Sequence, residues 1–81
     1  MKDFRATLKQ WVMNALRDLG GSAQIAPIAK HIWDHHESEL RISGDFFYTW
    51  QYEMRWAGQK LQQEGLLKKY RSGRKWELLR V

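Results

Sequence analysis

No cysteine occurs in this sequence, so disulfides, thiolate nucleophiles and thiolate-bound zinc are excluded together. The composition fits a reducing compartment, the cytoplasm. Proline occurs once, and Gly, Pro and Ser fall at punctuation points rather than in a repeat or linker. No stretch approaches the ~20 apolar residues of a membrane span, and the opening MKDFRATLKQW is charged where a signal peptide would be apolar. The 81 residues are expected to form one small domain, 1–81, near the size at which a single core suffices without disulfides or metals. Acidic charge is what the last third lacks. Residues 55–81 hold eight Lys/Arg against two Asp/Glu, whereas residues 1–54 hold six against seven. The net charge of +5 thus resides at one end of the chain, as in a domain with one side turned to a polyanion.

Apolar positions then give the elements. Phe4, Leu8, Trp11, Val12, Ala15, Leu16 and Leu19 recur at helical spacing, and Gly20-Gly21 ends the run. Ser22 to Gln24 is short and extended at most. Pro27 opens a second helix of about ten residues with Ile28, Ala29, Ile32 and Trp33 on one face. The polar HHESE at 35–39 precedes a loop in which Leu40 and Ile42 dip into the core. Ser43 or Asp45 would then cap a third helix that runs to Glu64 and stops at Gly65. LLKKY and KWELL flank RSGR, a hairpin with a basic tip. The expectation is an α+β, mainly helical chain: a winged helix-turn-helix of three helices and a C-terminal β-hairpin wing.

Six of the eleven positions from Phe46 to Trp56 are aromatic, and a helical wheel at about 100° per residue sorts them. Trp50, Met54, Ala57 and Leu61 form a core stripe with Trp56 to one side, while Phe46 and Phe47 staple the helix start. The opposite sector holds Tyr48, Gln51, Tyr52, Arg55, Gln59 and Gln62, with no acid among them. Arg can bond guanine O6 and N7 bidentately, and Gln adenine N6 and N7, which is how a helix reads the major groove. Tyr suits a phosphate, a sugar or a thymine methyl. Lys68, Lys69, Arg71, Arg74 and Lys75 surround the hairpin turn and would meet phosphates. Double-stranded DNA is therefore the expected partner. Double-stranded RNA is a poorer one, because a helix fits badly into the deep, narrow A-form groove. The rival reading is a protein-interaction module whose basic hairpin docks an acidic partner and whose exposed aromatics anchor the contact.

Trp56-Ala57, Leu61, Gly65-Leu66, the turn glycine Gly73 and Trp76-Glu77-Leu78 resemble the N-terminal winged-helix domain of Mrr-type restriction proteins. Leu16 to Gly21 and Ile28 to Ile32 fall where its first two helices lie. The resemblance implies duplex DNA binding through the third helix and wing, in regulation or defence, and a targeting role for a separate nuclease. It leaves open whether modified DNA is the target. The nuclease half has no counterpart, since no acidic pair with a following lysine could hold Mg²⁺ for cleavage.

No enzyme and no cofactor are expected. His31 and His35 stand four apart on the second helix, with Asp34, Glu37 or Glu39 as conceivable third metal ligands, but no spacing fixes one and a polar outer face is the reading adopted. His36 is expected half-buried near a helix end. Ser22, Ser38, Ser43 and Ser72 assemble no nucleophile with a base, and Gly20-Gly21 lacks the Lys-Ser/Thr of a phosphate-binding loop.

Overall fold

The structure, a computed structural model, describes residues 4–70 and 74–79. Three helices, α1 (Phe4–Asp18), α2 (Ile25–Arg41) and α3 (Phe46–Gln63), are joined by a three-stranded antiparallel sheet of β1 (Ser22–Gln24), β2 (Leu67–Tyr70) and β3 (Lys75–Leu78). This is an α+β chain, mostly helical. The strand order is β1-β3-β2, with Ala23 opposite Trp76 on one side of β3 and Lys69 opposite Trp76 on the other. The expected hairpin therefore gains a third strand from the short extended segment after α1. Among the described residues no helix is long and apolar enough to cross a membrane.

The core forms where the apolar stripes meet. Leu8, Trp11, Val12, Ala15 and Leu16 of α1 pack with Ile28, Ile32 and Leu40 of α2, Trp50, Met54, Ala57 and Leu61 of α3, and Leu67 and Trp76 of the sheet. Every predicted member of the α3 stripe is buried. Gly58 adds a position that periodicity did not mark. A Cβ there would lie 2.5–2.9 Å from the Trp76 ring, so the missing side chain lets the indole of β3 lie flush on α3.

Three local expectations are corrected. First, the second helix breaks near His35, close to the expected length, with non-helical φ/ψ of −132° and 21° at His36, but the polar segment beyond this kink is a further helical stretch to Arg41 and not the expected loop. The polar residues there supply a solvent face, held by an Arg41–Glu37 ion pair at 2.7 Å and a His36–Glu39 contact at 2.9 Å. The His36 ring stacks on Trp11 at 3.8 Å. Second, Leu40 is buried as expected, but Ile42 is 85% exposed, and Leu19 also lies at the surface. Third, neither proposed cap serves α3. Asp45 makes no side-chain cap bond, and the Ser43 hydroxyl donates back to the Leu40 carbonyl at 2.6 Å.

Candidate nucleic-acid interface

The inner rings of α3 are structural. Phe46 stacks on Phe4 with centroids 5.0 Å apart, Phe47 packs beside Trp33 at 6.2 Å, and Trp50 lies parallel to Trp33 at 6.3 Å. Trp56 is half-buried on the α1 side, with Arg5 and Lys60 over its ring. Tyr48 and Tyr52 are the exceptions, 82% and 76% exposed. They stand one turn apart, on the same side of α3 as the exposed Gln51, Arg55, Gln59 and Gln62.

Two adjacent concavities extend this face. One is lined by Gln51, Tyr52 and Arg55 together with Gln24, Ile25 and Ala26 from the start of α2. The other is lined by Arg55, Gln59 and Gln62 with Lys69 and Tyr70 of β2. Arg74 and Arg55 border both, so α3 and the residue just before β3 share one surface. No side chain caps the α2 N-terminus, which adds the positive end of a helix dipole to that surface. Periodicity missed the contribution of α2, because only the tertiary packing sets residues 24–26 beside α3.

The described hairpin cations separate. Leu67 and Lys69 share the sheet face turned to α3, with Trp76 opposite Lys69. Lys68 and Lys75 pair across the ladder with Glu77 and Tyr70 on the other face. Lys68 there sits over the Tyr70 ring, whose hydroxyl donates to Glu77 at 2.8 Å. Arg74 joins α3, and it holds a left-handed backbone, φ 50°, that non-glycine residues seldom adopt. Arg71 lies outside the described residues. Lys69 Nζ donates to the Arg55 carbonyl at 3.4 Å and stands over Trp76. Burial, and then the nearby Arg55 charge, lower its pKa from the ordinary lysine value.

Ion pairing divides the molecule along the same line. Glu53 and Glu64, on or just beyond α3, turn to α1 and pair with Arg5 at 2.8 Å and Lys9 at 2.7 Å. On α2, Lys30 pairs with Asp34 and Arg41 with Glu37. Among the described residues, Arg55, Lys60, Lys68, Lys69, Arg74 and Lys75 have no carboxylate at ion-pair distance. Glu53 and Glu64 are thus drawn to the back of α3, and its outer helical positions keep positive and neutral hydrogen-bonding groups, with the exposed Asp45 just before the helix. Comparison with protein-family models, curated proteins and solved structures gives no match to this chain.

Proposed function

We propose that this chain is a winged-helix duplex-DNA-binding protein, similar to the N-terminal domain of Mrr-type restriction proteins. In this reading α3 enters the major groove and the β2–β3 hairpin lies on the backbone or in the adjacent minor groove. The observation that carries it is the acid-free surface of Tyr48, Gln51, Tyr52, Arg55, Gln59 and Gln62, continuous with Lys69 and Arg74. Such a face meets both demands of DNA: cations for phosphates and bidentate donors for base edges. Arg55 and Gln51 read bases; Lys69 and Arg74 meet phosphates; Tyr48, Tyr52, Gln59 and Gln62 support the dock. Lys68 and Lys75 reach DNA only where a strand passes over the far sheet face.

The test is to select preferred duplexes from a random library and measure Arg55→Ala beside Arg74→Ala. Arg55→Ala is expected to relax preference at one position at a cost of ~1–3 kcal/mol, and Arg74→Ala to weaken all sequences alike. Unchanged affinity and preference in Arg55→Ala would reject the docking face.

A protein-interaction module is the second reading, supported by the exposure of Ile42, Tyr48 and Tyr52 around the start of α3. It predicts one favoured acidic partner and negligible affinity for random duplex.

A further inference from the structure

Where α1 ends against α2, three potential metal ligands converge. Asp18 is the last residue of α1, and His31 and His35 stand one turn apart on α2. One ligand atom from each lies within 4.8 Å of the other two. The carboxylates that sequence spacing offers as third ligand are engaged elsewhere: Asp34 with Lys30, Glu37 with Arg41 and Glu39 with His36. Asp18 takes that place instead, its Oδ2 2.9 Å from His31 Nε2.

Two features of the cluster favour a cation: the tautomer of His35 and the place of Asp18 at a helix end. The two imidazoles stand on one helix face at i, i+4 spacing, stacked nearly parallel with centroids 4.0 Å apart, so the rings must rotate about χ2 for their in-plane lone pairs to meet on one ion. His35 Nδ1–H donates to the His31 carbonyl at 2.8 Å. That bond leaves the lone pair on Nε2 free for an ion, as outer partners do for metal-binding histidines. The Asp18 carboxylate also sits at the carbonyl end of α1, where the helix dipole opposes an anion and favours a cation. Ligands of a tetrahedral ion with bonds of ~2.0–2.1 Å stand about 3.3 Å apart, so the Asp18–His31 contact needs to open by only ~0.4 Å. With Asp18 60% exposed, an ion can reach the cluster.

The geometry points to a divalent metal site of the zinc class, formed by Asp18, His31 and His35 with a fourth position for water. A bound ion ties the end of α1 to α2 across the Gly20-Gly21 turn. None of the three ligands lines the α3 concavities, so the site stands apart from the DNA-binding reading.

The experiment titrates the tag-free chain with Zn²⁺ against a chromophoric chelator, alongside imidazole ¹H–¹⁵N spectra. One ion per chain with micromolar or tighter affinity is expected, with the His31 and His35 ring signals moving and those of His36 staying. His35→Ala and Asp18→Asn each weaken binding by ~10-fold or more. Both positions are exposed, and retained His36–Trp11 ring shifts confirm folding. Millimolar or absent binding, unchanged affinity in folded His35→Ala, or signals that move at His36 instead would overturn the proposal.

Discussion

At the residue scale, Gly58 sets two effects against each other. Glycine inside a helix costs up to ~1 kcal/mol relative to alanine, so propensity alone favours Gly58→Ala. The Trp76 ring atoms at 2.5–2.9 Å oppose it, and overpacking a core costs ~1–3 kcal/mol. Net destabilisation of ~1–2 kcal/mol is expected in urea unfolding. Arg74 is the opposite case. Its left-handed backbone, φ 50°, costs roughly 1–2 kcal/mol without glycine. Arg74→Gly should therefore keep or slightly raise stability while weakening DNA binding, separating what the residue does for the fold from what it does for a ligand. Leu40 and Ile42 show where sequence reading lost resolution. Both are branched aliphatics near a loop, yet one is buried and the other 85% exposed. Leu40→Ala is expected to cost ~2–5 kcal/mol and Ile42→Ser under ~0.5.

At the element scale, α1 and α3 were legible because long amphipathic stripes bounded by glycine leave few alternatives. The polar HHESE segment had no apolar period to report. Its helical state depends on the stack with Trp11 and on the Glu37–Arg41 and His36–Glu39 contacts, which are tertiary or too local for periodicity to detect. Composition gave the basic hairpin but could not assign its cations to faces, because that needs the ladder register. Register sets Lys69 beside Arg55, where burial and the neighbouring charge hold its pKa down. A phosphate would favour the charged form and raise that pKa again. As pH rises through the lowered value, below the ordinary 10.5, Lys69 loses its proton and with it the phosphate contact. Duplex affinity should therefore fall at alkaline pH in the wild type, and this part of the fall should vanish in Lys69→Met, as binding curves at successive pH values would show.

At the scale of the whole molecule, the acids of α3 face α1 and are neutralised there, while the outer surface collects Arg55, Lys69 and Arg74. That division of charge is the central claim, and salt dependence reads it directly. The two phosphate contacts of Lys69 and Arg74 give a log–log slope of about −2, and a slope nearer −4 to −5 would bring in the remaining hairpin cations. The decisive measurement is fluorescence anisotropy of a labelled mixed-sequence duplex titrated with the chain at several salt concentrations, beside matched single-stranded DNA and duplex RNA. Micromolar or tighter binding that prefers duplex DNA and weakens with a slope of about −2 or steeper is the predicted result. No duplex binding at low salt, or binding indifferent to salt, would contradict it.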